Sequence, residues 1–231
     1  MLEAIKDKKF IFFDVGYTLD YPASGDWMFT KKFYEIVGDR LNKHSAEEIE
    51  KAREFGLEYL EKKHLVKNTE EEYHQFIRYY SDISKYLKLS LTEEEVCAIA
   101  DDRTNNMDNY IVYPDAKDVL EVLSHSYKLG IISDTWPSIE RQLCINGVRD
   151  YFSSAIYSCE LGKFKPDEAL YIDALRKSRC KAEETVFIDD SVRNLEGAAK
   201  LGITPILIAA NPASDIDSPY LKIHTLSELL I

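Results

Sequence analysis

The run Phe10-Ile-Phe-Phe13, followed by Asp14, Gly16, Thr18 and Leu19, constrains this chain more than any other stretch. Consecutive apolar residues bounded by polar ones predict a strand buried on both faces of a parallel sheet, with Asp14 at its carboxyl end. Open α/β sheets bind ligands at that edge, which makes Asp14 a candidate nucleophile; a solvated or capping aspartate is the alternative. Similar runs recur at Leu129–Asp134, Ala155–Cys159, Thr185–Asp190 and Pro205–Ala209. Helical patterns alternate with them at Ala116–Ser124, Pro137–Asn146, Glu168–Lys177 and Val192–Leu201, the last stopped by Gly202. The alternation predicts the α/β class with a doubly wound parallel sheet.

Residues 21–107 break the alternation, and their apolar spacing predicts helices throughout. Three capping boxes are expected, at Ser45 with Glu48, Thr69 with Glu72, and Thr92 with Glu95. Each precedes an apolar stripe: Ile49, Ala52, Gly56, Tyr59 and Leu60; then Tyr73, Phe76, Ile77, Tyr80 and Ile83; then Val96, Ile99 and Ala100. A further helix around Trp27–Val37 would complete a small bundle inserted directly after the candidate nucleophile, a candidate lid or a structural embellishment. The expected domains are therefore a sheet core of residues 1–20 and 108–231 and a helical insertion of residues 21–107.

A net charge of −12 disfavours nucleic acid and acidic membrane surfaces as partners, while an anionic substrate would need a local cation. The first residues lack the apolar stretch of a signal peptide and no segment has the length to span a bilayer, so a soluble cytoplasmic protein is expected. Cys97, Cys144, Cys159 and Cys180 are widely spaced and fit buried reduced thiols better than zinc ligands or disulfides. Oligomeric state is not legible.

Three further segments carry chemistry. Ser133, at the end of the second apolar run and followed by Asp134, could donate to a phosphate oxygen or cap the helix near Pro137. Lys163 and Lys165 precede Pro166 and offer a cation, unless both are merely solvated. Asp189 and Asp190 end a buried run as adjacent carboxylates that repel unless a cation or proton lies between them, and magnesium suits such oxygen ligands.

In this order, strand-Asp14, strand-Ser133, Lys165-Pro166 and strand-Asp189-Asp190, the chain resembles the haloacid dehalogenase superfamily, in its phosphatase-like branch with a helical cap. The resemblance spans nearly the whole chain. It implies a Rossmann-like core and hydrolysis of a small phosphorylated metabolite with Mg2+ through an aspartyl-phosphate. Asp14 would be the nucleophile and Lys165 would neutralise charge and orient it. Thr18, Ser133 and Asp134 would serve substrate binding, and Asp14, the Gly16 carbonyl, Asp190 and Asp189, directly or through water, would hold the metal. Asn194 stands where many relatives carry an acid and would only support the site.

The departure is Gly16. The common pattern has there a second aspartate that protonates the leaving group and later activates water, help worth about a hundred- to ten-thousand-fold. Asp20 or Tyr17 are candidate substitutes. The alternatives to a phosphohydrolase are a non-enzymatic phosphate-binding or regulatory protein, motivated by Gly16, and carbon chemistry on the same scaffold. Dehalogenation needs no metal and sits poorly with Asp189-Asp190; carbon–phosphorus cleavage calls for a Schiff-base lysine, for which Lys31, Lys62 and Lys63 are undistinguished candidates. Trp27, Arg53, His64, His74 and Arg78 are expected to pack or face water, and Trp136 either lines a pocket or joins the core.

Overall fold

Residues Phe10 to Phe13 are buried at 0–1 % exposure, because both faces of the strand they form are covered. The computed structural model describes residues 1–231. Its strands are β1 (Phe10–Phe13), β2 (Asp20–Pro22), β3 (Tyr110–Val112), β4 (Lys128–Ser133), β5 (Phe152–Tyr157), β6 (Thr185–Asp189), β7 (Thr204–Ile208) and β8 (Leu221–Ile223). Six of them make one sheet in the order β5-β4-β1-β6-β7-β8, every neighbouring pair parallel, while β2 and β3 pair separately. The chain fills one side of β1 with β4 and β5, then crosses to lay β6, β7 and β8 on the other. This is the doubly wound order, and its switch point falls between β1 and β6, where the carboxyl ends diverge and leave a crevice.

The chain divides into two compact units, one of Met1–Tyr21, Val112–Thr135 and Ile139–Ile231, the other of Pro22–Ile111 and Trp136–Ser138. The second unit is helical, with α1 (Lys31–Val37), α2 (Ala46–Lys62), α3 (Thr69–Tyr86) and α4 (Glu93–Asn105). Its core joins Phe33, Leu60, Phe76, Tyr79, Tyr80, Ile83 and Ile99. A Cβ on Gly56 of α2 would lie 2.7 Å from the Tyr79 ring, so glycine is what lets α2 and α3 approach this closely.

The sheet unit carries α5 (Ala116–Ser124), α6 (Ile139–Ile145), α7 (Ser158–Leu161), α8 (Glu168–Ser178) and α9 (Val192–Lys200). Phe10 and Phe12 on one face of β1 pack with Leu170 and Tyr171 of α8 and Leu195 of α9. None of the helices is long and apolar enough to cross a membrane.

Several local expectations are corrected. The first helix begins at Lys31 rather than near Trp27: Asp26 accepts the Met28 and Phe29 amides in a turn, and Thr30 is the N-cap. The capping boxes at Ser45 and Thr92 form, but the one at Thr69 does not. Asn68 caps α3 instead, and Glu72 is buried, accepting from Ser138 N at 2.7 Å and Ser138 Oγ at 2.6 Å. The segment expected as a strand from Ala155 to Cys159 starts earlier, at Phe152, and ends at Tyr157, with Ser158 and Cys159 in the short α7. All four cysteines are free thiols, but only Cys159 is buried; Cys144 is exposed. Trp136 joins the helical unit's core, its Nε1 donating to Gln75 Oε1 at 3.0 Å.

Candidate active site

Asp14 continues β1 into the crevice, its amide donating to Ile188 O of β6 at 2.9 Å, so the two strands on either side of the switch point fix its position. β6 ends in Asp189, and ligand atoms of Asp14, Asp189 and Asp190 lie within 4.8 Å of one another. Lys165 Nζ sits among them, 2.9 Å from Asp14 Oδ1 and 2.8 Å from Asp189 Oδ2, and also donates to Ile132 O at 3.2 Å. Lys163 lies at the surface and pairs with Asp167. Asp167 is the N-cap of α8, its side chain accepting from the Ala169 amide at 3.0 Å.

Three carboxylates against one ammonium leave this buried cluster short of positive charge. Burial, and then the charge of Asp14, pushes Asp190 up to about 6. Asp189 is also raised, by burial first, with Lys165 opposing. Burial works against the charge on Lys165, but Asp14, Asp189 and Asp134 outweigh it and raise its pKa, so the lysine stays an ammonium. A divalent cation fits what is missing, being a hard ion for an all-oxygen donor set with surplus negative charge.

The two acidic neighbours are not equivalent. Asp189 is fully buried and its oxygens already accept from Ser191 N at 2.7 Å, Asn194 Nδ2 at 3.1 and 3.2 Å, and Lys165 Nζ. Asp190 keeps more of its donor capacity, with one oxygen accepting from Ser214 Oγ at 2.9 Å. Asn194 therefore does more than stand by: it forks onto both oxygens of Asp189. Ser214 was missed by the sequence, since a lone serine in the turn after β7 carries no pattern that ties it to Asp190.

Thr18 is fully buried and its Oγ1 has no hydrogen-bond partner, an orphan suited to a ligand oxygen. Ser133 closes β4 and is buried; α6 begins only at Ile139, so Ser133 is not its N-cap. Asp134 is turned onto the backbone, Oδ1 accepting from Lys165 N at 2.9 Å, and burial raises it to about 6. Gly16 is not one of the positive-φ glycines; the left-handed position in this loop is Tyr17, at φ 53°. Of the two candidate substitutes, Asp20 is buried beside the cluster, with Oδ2 accepting from Gln142 Nε2 and Oδ1 unpartnered. Burial, reinforced by Asp14, pushes it up to about 8.

The other residues singled out from the helical segment pack or face water. Arg53 pairs with Asp26 and lies 4.5 Å over the Phe29 ring, Arg78 pairs with Asp82, and His64 is buried against Trp136. Trp27 stacks on Tyr110, and His74 is exposed. Lys31, Lys62 and Lys63 are exposed.

With the crevice, its carboxylates and its buried lysine in view, the chain belongs to the haloacid dehalogenase-like hydrolases: that family's model matches residues 39–208. Relatives by sequence include glyceraldehyde 3-phosphate phosphatases of Methanocaldococcus jannaschii, 28 % identical over 49 % of this chain and 50 % of that protein, and of Methanopyrus kandleri, 27 % identical over 51 % and 54 %. The chain thus spans about half the length of the curated relatives it matches. Among solved structures it resembles a HAD phosphatase from Thermococcus onnurineus, with TM-score 0.61, 25 % identity and 96 % and 95 % of the two chains covered. It shares its fold with the magnesium-bound putative HAD-hydrolase YfnB of Bacillus subtilis, with TM-score 0.66, 17 % identity and 97 % of each chain covered.

Proposed function

We propose that this chain is a magnesium-dependent phosphohydrolase of a small phosphorylated metabolite, acting through an aspartyl-phosphate on Asp14. The observation that carries this reading is the Lys165 ammonium set between Asp14 and Asp189 beside Asp190 at the switch point of the sheet. The phosphatase names of the sequence relatives support the substrate class.

In the first step an Asp14 carboxylate oxygen attacks phosphorus. The bond to the leaving oxygen breaks, and that oxygen departs with the electron pair. Lys165 holds Asp14 in place and offsets charge, while the Thr18 and Ser133 hydroxyls donate to phosphoryl oxygens. Asp134 fixes the Lys165 backbone. Water then attacks the phosphorus of the aspartyl-phosphate, gives its proton to solvent, and frees Asp14 and inorganic phosphate. Asp14, Asp190 and the Gly16 carbonyl, with Asp189 assisting, would hold magnesium, which when bound would supply the charge neutralisation that phosphoryl transfer demands. Residues 21–107 take the part of the family's cap, and the sheet segments 1–20 and 108–231 that of its catalytic core.

Because Gly16 cannot protonate a departing oxygen, leaving groups of low basicity are favoured. In a panel of phosphomonoesters assayed with and without magnesium, p-nitrophenyl phosphate and acetyl phosphate should turn over at least about tenfold faster than simple alkyl phosphates. Turnover should vanish without metal and in Asp14→Asn. Metal-independent turnover, or activity surviving in Asp14→Asn, overturns the reading. Binding of phosphate and magnesium with no turnover of any activated ester favours a phosphate-binding protein instead.

A further inference from the structure

We propose that a tyrosine-lined cleft beside the carboxylates seats the leaving group of the substrate and selects an uncharged aromatic one. This deepens the phosphohydrolase reading and rests on it. The cleft is a cavity of ≈ 330 Å³ lined by Tyr17, Tyr21, Tyr113, Pro114, Asn211 and Pro212, room enough for a single ring with its linker. It lies wholly within the sheet unit.

Its walls are the segments that build the site. Tyr17 follows Asp14 in the same loop, and Pro212 opens the turn whose Ser214 donates to Asp190. Tyr113 and Pro114 also wall an adjoining cavity of ≈ 360 Å³ that Thr18 lines. Asp190 is near enough for its charge to act on the Tyr113 phenol, which sets these rings beside the carboxylates where a leaving group would emerge.

The chemistry of the wall states what it accepts. The Tyr21 and Tyr113 rings meet at 5.0 Å with a tilt of 44°, and the two prolines add flat apolar faces. Aromatic faces in this arrangement favour a further ring by stacking or edge contact. No lysine, arginine or histidine lines the cleft, so a second phosphate or a carboxylate on the leaving group would find no counter-charge there. Burial, and then the charge of Asp190, raises Tyr113 to about 12, so its phenol stays neutral.

The test compares benzyl phosphate with ethyl phosphate, whose alcohols are similarly poor leaving groups, so that the gap reads recognition of the ring rather than leaving-group acidity. Wild type should favour benzyl phosphate by about tenfold in kcat/KM, mostly through KM. Benzylphosphonate, which cannot be hydrolysed at the missing ester oxygen, should bind more tightly than ethylphosphonate by a similar factor in calorimetry. Tyr113→Ala should bring both ratios toward one, and Tyr113→Phe should preserve them; Tyr21→Leu gives the same reading if Tyr113→Ala does not fold. Equal handling of the two esters by wild type, or ratios unchanged in Tyr113→Ala and Tyr21→Leu, overturns the cleft while leaving an Asp14-dependent hydrolase intact. Discrimination between the phosphonates without turnover of p-nitrophenyl phosphate or acetyl phosphate supports the cleft and removes the hydrolase.

Discussion

The two units bury charge in opposite ways. In the sheet unit, Asp14, Asp189 and Asp190 share one ammonium, and Asp20 sits close by with an unpartnered oxygen. In the helical unit, buried Glu72 has both oxygens occupied by Ser138. Arg103 is buried there too, donating to the Tyr110 hydroxyl and lying 4.7 Å over the Phe76 ring, with Glu72 near enough to support its charge. One region leaves carboxylates crowded; the other satisfies its carboxylate. A buried charge kept short of partners costs stability, and such sites persist where they bind something. The same residue type therefore has a different meaning in each unit, and substitutions should separate them by sign.

The largest effect is expected at Asp20. Its folded pKa of about 8 lies above the ordinary 3.8, so the folded state keeps a proton that the unfolded chain releases. Its contribution is fully present below pH 3.8 and is lost as pH rises through about 8. Asp20→Asn keeps an oxygen for Gln142 and has no charge to bury. Urea denaturation of metal-free protein should find the variant nearly equal to wild type near pH 4 and more stable by about 4 kcal/mol at pH 7. A parallel pH profile for the two proteins would show that Asp20 is not held protonated.

Next comes the metal. Magnesium at a hundredfold over its Kd should stabilise wild type by about 2.7 kcal/mol, read as a rise in melting temperature. Asp190→Ala should remove most of that rise while leaving the metal-free protein no less stable, because it relieves repulsion. A metal-independent melting curve in wild type contradicts the site. The helical unit should answer the other way: Glu72→Ala leaves the Ser138 amide and hydroxyl without their acceptor and should cost about 2 kcal/mol. A Glu72→Ala variant as stable as wild type in urea would erase the contrast between the units.

Legibility followed the same division. The strands β1, β4, β6 and β7 announce themselves because burial on both faces demands unbroken apolar runs, and their order along the chain implied the doubly wound sheet. Asp14, Lys165, Asp189 and Asp190 were legible because each closes a run or abuts a proline, a position visible in one dimension. The three-residue β2, β3 and β8 were not, being too short for any periodicity to register. Glu72 was misread as a capping partner, since Thr69-x-x-Glu72 satisfies the local pattern and only tertiary structure reveals that Asn68 caps better and that Ser138 claims the carboxylate. Ser214, the Gln142 contact that buries Asp20 and the tyrosine cleft depend on contacts between distant segments, for which a single sequence has no signal.

The central claim is that Asp14 carries the phosphoryl group, and the missing acid–base residue at Gly16 makes this directly observable. Water attack on the intermediate has lost its base, whereas an acyl phosphate needs no acid to leave, so the intermediate should accumulate. Wild type mixed with acetyl phosphate and magnesium, quenched in acid and digested, should yield one phosphoryl group by mass on the peptide containing Asp14. The modification should depend on magnesium and be absent in Asp14→Asn. Steady turnover with an unmodified Asp14 peptide, together with inversion rather than retention of configuration at an isotopically chiral phosphorus, would contradict the account.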